Sequence, residues 1–123
     1  MKKNIFLIVF TLTFFTFFAT AQKQTHNIDN KTEIKKEVFT VYGNCGMCER
    51  TSEGSLKDVE GITLADWDTE TDQMTVRFNP EKITLNTIKQ KIADVGYDSD
   101  THRAKEEIYN NLHGCCQYER PPK

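Results

Sequence analysis

Residues 41–48 read Val41-Tyr42-Gly43-Asn44-Cys45-Gly46-Met47-Cys48 and place two thiols three positions apart. The β-prone run before them, Val38–Tyr42, predicts a strand, and the residues from Cys48 to Val59 predict a helix. In a loop that enters a helix, Cys45 and Cys48 lie beside unpaired backbone N–H groups and the positive helix end, which favours thiolate over thiol. Thiolates are ligands for soft metal ions, but redox, zinc and disulfide sites share this spacing.

The chain beyond this stretch predicts the remaining elements of an α+β domain. Ile62–Trp67 and Gln73–Phe78 read as a hairpin, and a helix follows with Thr84 as its N-cap and Gly96 after its end. Residues 97–101 predict an edge strand. The order is that of a ferredoxin-like βαββαβ sandwich, with a four-stranded antiparallel sheet and two helices on one face. The predicted core is Phe39, Val41, Leu56, Val59, Ala65, Trp67, Met74, Val76, Phe78, Leu85, Ile88 and Ile92.

The N-terminus has the pattern of a secretory signal. Lys2 and Lys3 precede an uncharged apolar run that ends in the small-x-small cleavage pattern Ala19-Thr20-Ala21. We therefore expect a signal peptide at residues 1–21, with a retained membrane anchor as the alternative, and a flexible polar leader at residues 22–36. Cleavage would leave no membrane span, and the protein would be periplasmic or secreted.

Charge argues against a nucleic-acid partner. Without Lys2 and Lys3 the chain has 14 basic and 18 acidic residues, a net charge of about −4, and its cations are scattered rather than clustered. One domain is expected at residues 37–101, most simply as a monomer.

A C-terminal extension at residues 102–123 carries a second pair of thiols. Residues 103–112 predict a short charged helix, and His113, Cys115 and Cys116 follow as possible additional metal ligands. Adjacent cysteines in an extended chain point apart, so one of them binding an ion is easier than both. Gly114 would permit a tight bend that turns the thiols toward the first pair. A disulfide within the tail is the alternative.

Residues 36–101 resemble the heavy-metal-associated domain of copper chaperones, copper-ATPase repeats and the periplasmic mercury-binding protein. The resemblance is carried by the Cys45/Cys48 loop, by Val59-Glu60-Gly61-Ile62 and by residues 92–97, Ile-Ala-Asp-Val-Gly-Tyr. It implies that Tyr97 packs beneath a metal loop. The loop departs from the family pattern, since Gly43-Asn44 leads directly into Cys45 without the usual methionine.

The resemblance implies a non-enzymatic soft-metal binding protein with Cys45 and Cys48 as ligands, and the signal pattern adds that it is exported. Copper(I) is the expected ion, ahead of mercury, zinc or cadmium, and it would pass by ligand exchange to or from a partner protein with exposed thiols. The alternative from a different class is a thiol–disulfide redox module in which Cys45 attacks and Cys48 resolves.

Overall fold

The computed structural model describes residues 32–123, so the predicted signal peptide and most of the predicted leader lie outside the described residues. Within this range no helix is both long and apolar enough to cross a bilayer. The elements in chain order are β1 (Lys35–Thr40), α1 (Gly46–Gly54), β2 (Ile62–Asp68), β3 (Gln73–Phe78), α2 (Leu85–Asp94), α3 (Glu106–Asn110) and a 3₁₀ turn (Gly114–Cys116).

The sheet has three antiparallel strands in the order β1-β3-β2. β3 occupies the predicted residues, and the alternation predicted for it is observed, because Met74, Val76 and Phe78 are all buried. Val38 in β1 and Leu64 in β2 are exposed. The sheet therefore buries one face, and the interior side chains of α1 and α2 join the core on that face.

The predicted fourth strand is not formed among the described residues. Residues 97–101 contribute a single bridge, between Val41 and Ser99. The chain turns immediately afterwards, because the Ser99 N–H donates to the His102 carbonyl at 2.8 Å and the His102 N–H donates to the Ser99 hydroxyl at 3.1 Å. The Asp98 N–H, which would have to pair with Tyr42 to lengthen the ladder, donates instead to the Tyr118 hydroxyl at 2.7 Å, so the pairing does not extend beyond the bridge.

The first helix ends earlier than predicted, at Gly54 rather than Val59. Ser52 is buried on its inner face and donates to the Cys48 carbonyl at 2.8 Å, and Ser55 donates to the Ser52 carbonyl at 2.6 Å. Both hydroxyl groups are therefore satisfied by carbonyl groups of the helix, and that of Ser55 occupies a carbonyl of the last turn. Gly54 also has low helix propensity, so the helix stops there.

The second helix follows the prediction. The Thr84 hydroxyl accepts a hydrogen bond from the Thr87 N–H at 3.1 Å and caps the N-terminus. Ile88 and Ile92 are fully buried. Gly96 follows the helix with φ +107°, a conformation that favours glycine.

The hydrophobic core includes residues from outside the predicted domain. Nine of the predicted core residues are buried, and Val59, Ala65 and Leu85 are partly buried against them. Cys116 and Tyr118 from the C-terminal extension belong to the same buried cluster, and Tyr109 packs against it. The helix of this extension is shorter than the predicted residues 103–112, because it spans only Glu106–Asn110.

Candidate metal centre

The loop between β1 and α1 is held from two sides. The Val41 N–H donates to the Asp72 carbonyl at 2.8 Å, and the Tyr42 N–H donates to the Asp98 carbonyl at 2.9 Å. The indole N–H of the buried Trp67 donates to the Val41 carbonyl at 3.0 Å. These bonds fix where the chain leaves the sheet, and so they fix where the following thiols lie.

Cys45 and Cys48 converge at this junction, as the sequence predicts. Cys45 is the N-cap of α1, Cys48 lies in its first turn, and the two Sγ atoms are 3.5 Å apart. Both thiols are free. The Asn44 N–H points at the Cys48 sulfur at 3.4 Å. The geometry is that of two sulfur ligands facing one point.

The Cys45 thiol is partly ionised near neutral pH. The backbone N–H of Cys48 is the main cause that lowers its pKa from 9.0 to about 7, and the side chain of Cys48 adds to the effect. Backbone N–H groups at a helix N-terminus stabilise the thiolate because they place positive partial charge beside it. Cys45 can thus act as a nucleophile or as a metal ligand.

The tail brings the second thiol pair to the same place. The Cys116 Sγ lies 3.9 Å from that of Cys45 and 3.9 Å from that of Cys115. The Sγ atoms of Cys45, Cys115 and Cys116 are all within 4.8 Å of one another. Cys116 is buried and Cys115 is exposed.

The expectation that adjacent cysteines point apart is wrong here, because the chain is not extended. Gly114–Cys116 form a 3₁₀ turn, in which the Cys116 N–H donates to the His113 carbonyl at 2.7 Å. The bend predicted at Gly114 is present, because the 3₁₀ turn begins there, but it does not use the conformational freedom of glycine. Gly114 does not adopt a positive φ, and a side chain there would meet no atom within 4 Å.

A buried network positions the tail. Arg120 donates to both carboxylate oxygens of Asp98, from Nε at 2.7 Å and from Nη2 at 2.6 Å. The Tyr118 hydroxyl donates to the Gly96 carbonyl at 2.9 Å and accepts from the Asp98 N–H at 2.7 Å. The Tyr118 ring also packs edge-on against that of Tyr109, with centroids 5.1 Å apart. We call the contacts of Arg120 and Tyr118 with Asp98 and Gly96 the tail latch.

Sequence reasoning missed the latch. The sequence predicts Asp98 in a polar edge strand, yet its side chain is almost fully inaccessible to solvent. Tyr118 and Arg120 are more than 19 positions away in the chain, so no local pattern relates them to Asp98. The only available signal was an arginine and a tyrosine within a short tail that otherwise lacks a reason to be ordered.

Tyr97 packs beneath the thiols, where the sequence resemblance predicts it. Its ring is buried and stacks on Tyr118 at a centroid distance of 5.8 Å. Burial, followed by the neighbouring thiols of Cys116 and Cys48, raises the pKa of Tyr97 well above its usual value. The buried hydroxyl has no hydrogen-bond partner among residues 32–123.

His113 is not brought into the cluster. Its side chain is exposed and does not belong to the group of thiols that could share an ion in residues 32–123. Met47, between the two loop cysteines, is also exposed at 36% and so does not plug the loop.

Comparisons with known proteins agree with this arrangement. Residues 38–98 match the heavy-metal-associated domain. The copper chaperone CopZ of Staphylococcus aureus is 33% identical over 66 residues, which are 53% of this chain and 97% of CopZ. Among solved structures, a CopZ metallochaperone is 33% identical with a TM-score of 0.51, and the alignment covers 53% of this chain and 98% of that one.

Oxidized MerP from Ralstonia metallidurans is 29% identical with a TM-score of 0.52, over 55% of this chain and 96% of that one. The tail that carries Cys115 and Cys116 lies beyond the residues matched to the domain. Cys45 and Cys48 lie within the matched region. The chain belongs to the heavy-metal-associated domain family.

Proposed function

We propose that this protein binds copper(I) through Cys45 and Cys48 and passes it to a partner protein without catalysing a reaction. The observation that carries the proposal is the pair of free thiols 3.5 Å apart at a strand-to-helix junction. The lowered pKa of Cys45 supports it, because the thiolate is the metal ligand. A family relative named as a copper chaperone gives copper precedence over mercury, zinc and cadmium.

The transfer proceeds by exchange of thiolates. An acceptor thiolate forms a bond to copper(I) while the bond to Cys45 or Cys48 breaks, and the ion remains monovalent throughout. Cys45 is the half-exposed ligand and Cys48 is buried. Cys45 is therefore the ligand that an acceptor displaces first, while Cys48 stays bound inside.

The partner is a metal donor or acceptor with exposed thiols. We also propose that the protein is exported and acts in the periplasm or outside the cell, on the strength of the cleavage pattern before Gln22. N-terminal sequencing of the protein recovered from a periplasmic or secreted fraction tests this. A mature chain that retains residues 1–21 would contradict it.

The metal proposal is tested by competition for copper(I) under anaerobic conditions. The Cys45→Ser/Cys48→Ser double variant should no longer take copper(I) from a chromophoric chelator. Its circular dichroism spectrum should stay unchanged. The matched control, His113→Ala, should bind as the parent does, because that side chain is exposed and outside the thiol group. Parent-like affinity of the double variant would overturn the assignment.

The same pair of sulfurs also suits thiol–disulfide exchange, which is the second candidate. A thiol with a pKa of about 7 beside a second thiol can attack a disulfide and be resolved by its neighbour. Multiple turnovers in a dithiol-driven disulfide reduction assay would favour this function. A metal carrier should show none, and should pass copper(I) to a dithiol faster than free dissociation allows.

A further inference from the structure

The thiol cluster extends beyond the family's domain. Cys115 and Cys116 lie outside residues 38–98, yet the Cys116 sulfur is 3.9 Å from that of Cys45. Cys116 is only 2% exposed, so this sulfur is enclosed by the protein. Cys115 is exposed at the rim of the same cluster.

These separations suit a three-coordinate ion. With metal–sulfur bonds of about 2.3 Å, sulfurs in a trigonal site are about 4.0 Å apart. The Cys45–Cys116 distance of 3.9 Å matches this value, and the Cys45–Cys48 distance of 3.5 Å needs only a small widening. The Cys45 sulfur is thus already within one such spacing of both the Cys48 sulfur and the Cys116 sulfur, and it can share an ion with each.

The tail is held where this geometry requires it. Arg120 and Asp98 form a bidentate pair whose side chains are 9% and 1% exposed. Tyr118 is buried between this pair and the ring of Tyr97. Bidentate arginine–carboxylate pairs fix geometry as well as adding energy. The tail is thus built against the domain and does not simply trail from it.

A second, independent feature points to negative charge at this place. The Tyr97 hydroxyl is buried and has no partner in the described part of the chain, although buried hydroxyl groups normally have one. The thiols of Cys116 and Cys48 are neighbours of this hydroxyl. Once a metal ion displaces their protons, these sulfurs become acceptors for the orphaned hydroxyl.

We propose that Cys116 is a third copper(I) ligand and that the tail latch holds it in place, which makes this a closed site rather than an open two-thiol site. The inference rests on the proposed function, because it presupposes that Cys45 and Cys48 bind the ion. A third thiolate raises affinity and slows release. Cys115 lies at the exposed rim and is not one of these three ligands.

The test compares copper(I) affinity and X-ray absorption for four single variants of the reduced protein. Cys116→Ser removes the ligand, and Arg120→Met breaks the latch but leaves all four thiols. Loss of an outer-shell partner alone costs about 10- to 100-fold in metal affinity, so both variants should bind at least about tenfold more weakly. Their copper should have two sulfur ligands where the parent has three.

Two matched controls separate this effect from general damage. Gly114→Ala alters the same turn without a clash, and Arg77→Met removes an arginine from the exposed side of β3. Both should keep the affinity and the three sulfur ligands of the parent. If Arg120→Met does not fold, Cys116→Ser still decides, because it leaves the latch intact.

Failure of the third-ligand inference and failure of the proposed function give different results. If the parent binds copper(I) with two sulfur ligands, or if Cys116→Ser binds as tightly as the parent, the third-ligand inference is wrong and the two-thiol function stands. If the parent binds no copper(I), the proposed function itself is wrong.

Discussion

Replacing Asp98 with asparagine should be one of the most destabilising single changes available in the tail network. The Asp98 carboxylate accepts hydrogen bonds from Arg120 Nε at 2.7 Å, from Arg120 Nη2 at 2.6 Å and from the Ala104 N–H at 2.7 Å. An asparagine cannot accept on its amide nitrogen, so one donor loses its partner. The guanidinium, whose side chain is 9% exposed, also loses its buried counter-ion and keeps only the exposed carboxylate of Glu106, 3.0 Å from Nη1.

The expected cost follows from this burial. Removing one member of a buried ion pair costs about 3–5 kcal/mol when the other charge is left uncompensated. Glu106 still pairs with Arg120 from the exposed side, so we expect a cost near the lower end of this range. Urea denaturation followed by circular dichroism, at neutral pH under reducing conditions, measures the change in the free energy of unfolding. Adding Arg120→Met to Asp98→Asn should cost less than the sum of the two single changes, since the unpaired charge is then gone.

The control is an ion pair that is exposed to solvent. Glu60 and Lys82 are 2.7 Å apart, but their side chains are 81% and 50% exposed. Glu60→Gln should leave the urea midpoint almost unchanged, because exposed pairs contribute little. Equal midpoint shifts for Asp98→Asn and Glu60→Gln, or strict additivity with Arg120→Met, would refute the reasoning.

Three further results are expected. Gly43→Ala should lower the free energy of unfolding by about 1–3 kcal/mol, because its new Cβ would lie 2.8 Å from the Trp67 ring, whereas Gly114→Ala should be neutral in the same denaturation assay. Tyr97→Phe should raise the stability of the metal-free protein by about 1 kcal/mol, since it removes a buried hydroxyl without a partner among residues 32–123; a loss of stability would contradict this. Alkylation of Cys45 by iodoacetamide, followed by mass spectrometry, should rise with pH through a midpoint near 7 rather than 9, because a lowered pKa gives more thiolate at neutral pH.

Local patterns were sufficient to predict part of the fold. β3 was predicted at its observed residues because its alternation is regular and a polar turn precedes it. The cap of α2 was predicted because Thr84 is followed by an apolar stripe at helical spacing. The end of α1 was not predicted. In the sequence Ser52 and Ser55 are two polar residues at helical spacing, and nothing shows that their hydroxyl groups bond to carbonyl groups of the helix.

In the thiol cluster, too, local spacing predicts one part and contacts between distant residues determine the other. The convergence of Cys45 and Cys48 follows from their spacing at a strand-to-helix junction. The arrival of Cys116 depends on Arg120 reaching Asp98 across 22 positions, and no periodicity encodes such a pair. An extended backbone would point Cys115 and Cys116 apart, but these residues lie in a 3₁₀ turn that no sequence pattern predicts.

Trp67 gives the protein an optical signal of its own. It is the single tryptophan of the chain, and its indole is fixed to the Val41 carbonyl directly under the thiol loop. A side-chain carbon placed on Gly43 would touch both this ring and the Cys48 Cβ, so the fluorophore and the sulfurs are near neighbours. Tryptophan emission should therefore change when a heavy ion binds the thiols, and occupancy could be followed in the unlabelled protein.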